Sequence, residues 1–181
     1  MKVVNLVASA HLGIVVDLNK ITSLENGDYE PEQFPGGILR YPRHGATALV
    51  FKNGKIVIVG CKSEQQIEEV LNQIYNDLSK IAISKTGKKP EYKITNIVLM
   101  EDLKSTINQS KLLSENYLIS NEDISIEYEP EQFPGTIIRM SNPLSTALVF
   151  RNGKIIISGF DNMEQGKKAL KKLLNFLSKY V

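Results

Sequence analysis

An internal duplication constrains this sequence more than any other feature. The segment YEPEQFPGGILRYPRHGATALVFKNGKIVIVG, at 29 to 60, recurs as YEPEQFPGTIIRMSNPLSTALVFRNGKIIISG at 128 to 159, with 21 identities in 32 ungapped columns. Upstream, Asn5 aligns with Asn96, so the second copy has eight extra residues before Tyr128. Such a repeat predicts one structural unit used twice. We therefore expect two repeats, residues 1–90 and 91–181, joined near the polar segment at 84 to 90 and sharing one continuous sheet.

The composition excludes several classes of protein. The 181 residues are 42% hydrophobic and 23% charged, which is typical of a globular chain and not of a disordered or collagenous one. The net charge of +2 shows no dominant basic field, so charge alone leaves nucleic-acid binding undecided. One cysteine, Cys61, excludes an internal disulfide. We find no secretory signal and no apolar run near the roughly 18 residues of a membrane span.

Both copies show the same order of predicted elements. Asn53-Gly54 and Asn152-Gly153 separate apolar runs and predict hairpins with type I′ turns. Asp17 supplies a cap for a short helix through Leu24. Ser63 with Gln66 forms a capping box before a long amphipathic helix over 63 to 82, and Asp161 with Glu164 begins its counterpart over 161 to 180. The pattern predicts an antiparallel α+β unit, repeated.

The strands are apolar at both parities, which is unusual for a sheet with one face in water. Ala48, Val50, Ile56 and Ile58 share one parity, and an equally apolar set has the opposite parity. One long and one short helix per copy are too few to cover both faces of about ten strands. Either the two sheets stack as a sandwich, or an apolar surface stays open for a ligand.

The sequence contains little that supports an enzymatic function. His11 and His44 lack metal-ligand spacing, and no glycine-rich phosphate loop is present. Glu30 and Glu32 flank Pro31 and are interpreted as a solvent-facing acidic turn rather than a catalytic pair. We expect no enzyme activity, no metal and no cofactor.

The doubled EPEQFPG motif, TALVF followed by NGK in each copy, and the strand asparagines Asn5 and Asn96 resemble the TATA-box-binding protein family in its archaeal form. The resemblance covers nearly the whole chain. It implies a pseudo-twofold saddle, a curved ten-stranded antiparallel sheet with four helices on the convex face. It also implies that the concave face binds and kinks A·T-rich DNA through the minor groove.

The resemblance implies a functional role for each residue of this chain that matches a position of the family motif. The implied intercalating wedges are Phe34, Phe51, Phe133 and Phe150. The implied base-edge residues are Asn5, Asn96, Val59 and Ser158. The implied apolar groove floor consists of Val7, Val98, Leu49, Leu148, Val57 and Ile156. The implied phosphate contacts are Arg40, Arg139, Lys55, Lys154 and Lys62. An asparagine in a strand can also serve a bulge or a local backbone bond, but its recurrence in both copies favours the base-edge role.

Two positions depart from the family pattern. Val59 stands where the family commonly has a hydroxyl, which puts one central hydrogen bond in doubt. Asp161 stands where Lys62 stands in the first copy, so we expect weaker phosphate binding by the second.

The implied function is recognition and bending of an A·T-rich promoter element, which nucleates the transcription pre-initiation complex. The implied partners are promoter DNA, transcription factor B through Glu129 and Glu131, and RNA polymerase indirectly. No membrane is expected, and weak self-association through the concave face stays open. The expected location is the cytoplasm of an archaeon, at the nucleoid, or the nucleus of a eukaryote.

Alternatives remain at this stage. The chain could be a diverged nucleic-acid-binding module of the same fold, such as a substrate-gripping domain, or a paralogue outside general initiation. A carrier of hydrophobic ligands would use the same concavity, but it would have no need of four exposed phenylalanines and two central asparagines.

Overall fold

The repeat pattern appears directly in the strand topology of the computed structural model, which describes residues 1–85, 90–117 and 123–181. The chain divides into a first-repeat unit, Asn5–Thr95, and a second-repeat unit, Met1–Val4 with Asn96–Val181. The main sheet has ten strands. The strands are β1 (Lys2–His11), β2 (Ile14–Val16), β3 (Gly27–Asp28), β4 (Gly37–Tyr41), β5 (Ala46–Val50), β6 (Lys55–Cys61), β7 (Ala82–Lys85), β8 (Glu91–Asp102), β9 (Ile124–Glu127), β10 (Thr136–Ser141), β11 (Leu144–Val149) and β12 (Lys154–Phe160).

Each unit contains the same antiparallel meander. In the first-repeat unit the order is β3-β4-β5-β6-β1, and in the second-repeat unit the matching order is β9-β10-β11-β12-β8. β2 and β7 pair separately as a small two-stranded sheet that the sequence analysis did not predict. The predicted α+β class and ten-stranded antiparallel sheet are confirmed.

The described residues include three α-helices: α1 (Glu64–Ser79), α2 (Gln109–Tyr117) and α3 (Met163–Leu177). The short helix of the first repeat is a 3₁₀ helix, Leu18–Ser23, and Asp17 caps it by accepting from the Asn19 amide at 3.3 Å. A further 3₁₀ turn covers Pro42–His44. In the second repeat the counterpart of the Leu18–Ser23 helix is α2. This helix lies within the stretch that carries the eight extra residues. Part of that stretch, and part of the predicted joint at 84 to 90, lies outside the described residues.

The helix starts follow the predicted capping with one correction. Ser63 accepts from the Gln66 amide at 3.2 Å, while the Gln66 side chain accepts from the Lys62 amide at 2.8 Å. In the second repeat the cap is Asn162, which accepts from the Gln165 amide at 3.0 Å, and not Asp161. Asn162 aligns with Ser63 in the repeat, so the cap position is kept and Asp161 lies one residue outside the helix.

The two Asn-Gly hairpins form as predicted, but with a different turn. Gly54 and Gly153 have φ of 82° and 84°, whereas Asn53 and Asn152 are not among the residues with positive φ. A type I′ turn needs positive φ at both central residues, so the prediction of that turn was wrong. The Phe51 and Phe150 amides donate to the carbonyls of Lys55 and Lys154 at 2.9 Å and close each hairpin. The loop within each closing pair has three residues and ends on a left-handed glycine. The asparagine side chain accepts from the amide two residues on, at 3.1 Å in the first repeat and 3.2 Å in the second.

One parity is buried in eight of the ten strands of the main sheet, all except β3 and β9. Ala48, Val50, Ile56 and Ile58 are fully buried, and so are Ile67, Val70, Ile74 and Leu78 on α1. Cys61 belongs to this core, and its burial raises the pKa of the thiol. The two repeats fill the same space differently. Cys61 faces a helix that carries Ile67, whereas Phe160 packs so closely on Gly166 that a Cβ there would lie 2.6 Å from the ring.

Gly54 and Gly45 provide a matched test of the hairpin. Both have positive φ, at 82° and 61°, but a Cβ on Gly54 would overlap the carbonyl oxygen of Ile14, while a Cβ on Gly45 would meet nothing within 4 Å. Gly45→Ala should cost about 1–2 kcal/mol for the left-handed backbone. Gly54→Ala should cost a further 1–3 kcal/mol, roughly, because the loop must move away from Ile14. Urea denaturation of both variants measures the difference, and equal losses would show that the contact with Ile14 has no energetic weight.

Candidate nucleic-acid interface

The face of each half-sheet opposite the helices is apolar and half-exposed. In the first-repeat unit Leu49 pairs with Val57, and Val59 pairs with Thr47. In the second-repeat unit Leu148 pairs with Ile156, and Ser158 pairs with both Thr146 and Val98. The side chains of this parity are of intermediate exposure, while their neighbours along each strand are buried. We call this surface the open face. Within each unit the sheet is a single layer with helices on one side, so the sandwich alternative does not describe either unit.

The predicted groove-floor and base-edge residues all lie on the open face of their own unit. They are Val7, Leu49, Val57, Val59 and Asn5 in the first-repeat unit, and Val98, Leu148, Ile156, Ser158 and Asn96 in the second. Branched aliphatic side chains of this kind offer a smooth apolar surface. The asparagines, with Ser158, are the polar groups within this set.

Both asparagines hold a β-bulge. The Asn5 side-chain oxygen accepts from the Gly60 amide at 2.7 Å, and the Asn96 oxygen accepts from the Gly159 amide at 3.0 Å. At each place the strand register shifts by one residue, and the glycine has a φ of 98° or 111°. A bulge removes one residue from the ladder, and the asparagine oxygen satisfies an amide there. The recurrence of Asn5 and Asn96 was expected to disfavour a bond to the backbone. That expectation was wrong, because the bulge and its backbone bond recur in both repeats.

The bulge bond also sets the orientation of the carboxamide. A backbone amide can only donate, so the side-chain oxygen must face Gly60 or Gly159, and the NH₂ group occupies the other position. Among the residues that the structure describes, neither NH₂ group has a hydrogen-bond acceptor. Each unit therefore presents one amide donor on the open face. The base-edge role of these residues stays a prediction.

A pair of phenylalanine rings lies in each unit. Phe34 and Phe51 meet edge to face with centroids 5.9 Å apart, and Phe133 and Phe150 do the same at 5.7 Å. Each first member ends the EPEQF turn, where its amide donates to the carbonyl of Glu30 or Glu129 at 3.0 and 2.9 Å. The glycine of the motif is required by this packing, because a Cβ on Gly36 or Gly135 would lie 2.7 Å from the ring of Phe34 or Phe133. The rings are half-exposed, so they are available for contact.

The two predicted phosphate arginines are ion-paired. Arg40 lies 3.4 Å from the Asp28 carboxylate, and Arg139 lies 2.6 Å from Glu127. Sequence reasoning missed both acids, although each stands directly before the repeated Tyr-Glu-Pro and twelve residues before its arginine. All four side chains are about half-exposed, so these pairs are worth little in stability but hold the guanidinium groups in place.

The remaining predicted cations are exposed. Lys55, Lys154 and Lys62 make no ion pair within the described residues. Asp161, at the position equivalent to Lys62, accepts from the Asn162 side chain at 3.1 Å. The second-repeat unit therefore carries an acid where the first carries a free cation.

The turns before the phenylalanines have acidic tips. Glu30, Glu32, Glu129 and Glu131 are exposed, and none of them makes an ion pair with a residue that the structure describes. The turns are tied internally, since the Gln33 and Gln132 amides donate to the Glu30 and Glu129 carbonyls at 3.0 and 2.9 Å. Each unit thus presents two exposed carboxylates, on a turn with internal backbone bonds, beside its phenylalanine pair.

Across residues 1–85, 90–117 and 123–181 no group of three His, Cys, Asp or Glu side chains could hold a metal ion. No helix in the described part of the chain is both long enough and apolar enough to cross a membrane.

Comparison with known proteins identifies the family. The family model described as Transcription factor TFIID (or TATA-binding protein, TBP) matches residues 1–81 and 91–180, and the chain belongs to this family. A TATA-box-binding protein of Archaeoglobus fulgidus is 38% identical, covering 96% of this chain and 92% of its own. That of Methanopyrus kandleri is 36% identical, covering 99% and 97%. A solved structure described as Methanococcus jannaschii TBP is similar with a TM-score of 0.81 and 36% identity over 98% of each chain. The resemblance and the fold class predicted from the sequence are confirmed.

Proposed function

We propose that this chain is a sequence-selective minor-groove DNA-binding protein. It recognises and bends an A·T-rich promoter element and nucleates the transcription pre-initiation complex. The observation that carries the proposal is the open face, which in each unit combines a half-exposed apolar surface, one oriented amide donor and an edge-to-face phenylalanine pair. The names of the archaeal relatives point to the same role. The function is binding, and no chemical step is assigned to the chain.

The open face suits the minor groove of A·T-rich DNA chemically. A·T pairs present acceptors there, adenine N3 and thymine O2, whereas a G·C pair adds the guanine amino donor. The amide donors of Asn5 and Asn96 complement acceptors and leave the guanine amino group unpaired against an apolar surface. Because the bulge glycines fix the carboxamides, the two asparagines cannot turn to accept from guanine without losing their backbone bonds. Discrimination between A·T and G·C therefore rests on orientation as well as residue type.

The phenylalanine pairs are proposed to act as wedges. Inserting a ring between base pairs costs a few kcal/mol of unstacking, which is offset when the bent duplex covers more protein surface. Each repeat, 1–90 and 91–181, contributes one pair, one asparagine and one set of phosphate-contacting cations, so each serves half of the site.

The arginine ion pairs modify the phosphate contacts. Arg40 and Arg139 are held by Asp28 and Glu127 in the free protein. We infer that phosphate either competes with these carboxylates for the guanidinium groups or shares those groups with them. Lys55, Lys154 and Lys62 are free to meet phosphate directly. With Asp161 in place of a cation, the second repeat is expected to release fewer counterions than the first.

Removal of one wedge pair tests the proposal most directly. Phe133→Ala with Phe150→Ala should reduce bending of an A·T-rich duplex, measured by energy transfer between end labels at saturating protein. Phe176→Ala is the matched control, because this ring packs against Tyr180 on the helical side of the same unit. An unchanged end-to-end distance in the double variant would remove the wedge assignment.

Two substitutions separate the structural and recognition roles of Asn96. Asn96→Asp keeps the oxygen that accepts from Gly159 and loses the amide donor, so it should leave stability nearly unchanged. Asn96→Ala removes both groups and should also lower stability by about 0.5–1.5 kcal/mol. Asn96→Ala should weaken binding to an A·T-rich duplex by about 1–3 kcal/mol, with little change on random sequence. Equal losses on both duplexes would mean that Asn96 merely holds the bulge.

We further propose that Glu129 and Glu131 bind transcription factor B, which brings RNA polymerase to the promoter indirectly. The exposed carboxylates suit a basic partner surface, and the tied turn presents them with little loss of conformational freedom. Glu30 and Glu32 repeat the same turn, so neighbouring residues must decide which repeat the partner chooses.

Charge reversal at the two turns checks this assignment. Glu129→Arg with Glu131→Arg should abolish the ternary complex in a gel shift and leave binary DNA binding intact. Glu30→Arg with Glu32→Arg is the matched control and should leave both complexes intact. Loss of the ternary complex in the control alone would reverse the assignment of the two ends, and no loss in either would point to a paralogue outside general initiation.

A further inference from the structure

The long helices of the two repeats carry opposite charge. α1 contains four acidic residues and no basic residue, whereas α3 contains four lysines and one glutamate. Their solvent faces therefore differ in sign although the helices occupy equivalent places, α1 against β6 and α3 against β12. Nothing in the DNA-binding proposal uses either surface, since each helix lies on the side of its half-sheet opposite the open face.

The reversal is confined to exposed positions. In the repeat alignment Glu68 and Glu69 correspond to Lys167 and Lys168, and all four are exposed. The buried stripe shows no such change, because Leu71 and Leu78 of α1 correspond to Leu170 and Leu177 of α3. Core packing therefore constrains one side of each helix and leaves the sign of the other side free, so packing does not explain why the signs oppose.

Part of each charged surface is unpaired within its own unit. Lys168 pairs with Glu164 at 2.7 Å and Lys172 with Asp123 at 3.4 Å. Lys167 and Lys171 make no ion pair with any residue that the structure describes, and Glu68 makes none either. Lys80 pairs with Asp77 at 3.0 Å, and the His44 ring nitrogen Nδ1 lies 3.8 Å from the Glu69 carboxylate. Each surface thus keeps charge available for an external partner.

The spacing of exposed charges on the two helices matches, although Glu64 also accepts from the Tyr92 hydroxyl at 3.4 Å. Glu64 and Glu68 are four residues apart, as are Lys167 and Lys171, so each pair spans about 6 Å along its helix. Two such helices placed side by side can bring acid and lysine together at successive turns. The complement of the lysine surface is therefore present in this chain itself.

We propose that α1 of one copy docks on α3 of a second copy of this chain. The contact is heterologous, because each copy uses different surfaces toward its two neighbours, and it can therefore repeat along a series of copies. Exposed ion pairs are individually weak and are screened by salt, so the association is transient and favoured at low ionic strength. It does not rest on the proposed DNA function and leaves the open face free.

Sedimentation velocity of the whole chain tests the proposal. At roughly 0.01 M salt, where the screening length is about 30 Å, the sedimentation coefficient should rise with protein concentration. At about 1 M salt, where that length is about 3 Å, the rise should disappear. A chain that stays monomeric at low salt overturns the proposal. If that monomeric chain binds polyglutamate, the lysine surface of α3 serves an acidic partner and not a second copy.

Charge exchange between the repeats identifies the surfaces. Glu68→Lys with Glu69→Lys takes the net charge of α1 from −4 to 0 and leaves α3 at +3. Lys167→Glu with Lys168→Glu takes the net charge of α3 from +3 to −1 and leaves α1 at −4. Each double variant should be monomeric alone, and an equimolar mixture of the two should associate again. The chain with all four substitutions should stay monomeric, because its α1 is neutral and its α3 has a net charge of −1.

Lys55→Glu is the control for net charge, since it alters the open face and should leave association unchanged. Association that survives both double variants, or a mixture that fails to associate, would place the contact elsewhere, for instance on the apolar open face. Circular dichroism of each variant confirms that the exposed substitutions leave the helices intact.

Discussion

Burial of one strand parity beneath a single long helix is the interaction on which each unit depends. The apolar stripe of α1 packs against β6, and that of α3 packs against β12, where Ile56, Ile58, Ile155 and Ile157 are fully buried. One helix layer leaves the other parity half-exposed, although it is just as apolar. A large apolar surface that stays open is a binding surface in most soluble proteins. The same packing that stabilises the unit thus produces its functional face.

The bulges connect the scaffold to that face. Gly60 and Gly159 break the ladder beside β1 and β8, and each leaves an amide for an asparagine oxygen. This bond orients the carboxamide and so decides which hydrogen-bonding group the open face presents. Selectivity for acceptors over donors therefore follows from a defect in strand pairing. A carboxamide in a regular ladder would have no such anchor.

Duplication allowed the repeats to diverge where packing is permissive. In the core of the first repeat a small strand residue, Cys61, goes with a large helix residue, Ile67. In the second repeat the strand residue is the larger Phe160, and the helix residue is Gly166, which has no side chain. The surfaces diverge more freely, with Lys62 against Asp161 and acidic α1 against basic α3. A pseudo-symmetric molecule needs such differences if a partner is to distinguish its two repeats.

The sequence by itself determined the repeat, the hairpins, the helix stripes and the apolar character of both strand parities. These follow from local spacing, because periodicities of two and of 3.6 residues assign side chains to faces without any long-range contact. The family resemblance, and not these periodicities, predicted that the phenylalanines and asparagines lie on one surface of their units.

Tertiary structure decided what those residues do in place. It set the three-residue turns at Gly54 and Gly153, the cap at Asn162, the ion pairs of Arg40 and Arg139, and the orientation of the asparagines. Asn5 and Gly60 are 55 residues apart in the chain, and Asn96 and Gly159 are 63 apart. Their bonds depend on a register shift between strands brought together by folding, and no local pattern in a single sequence encodes that shift.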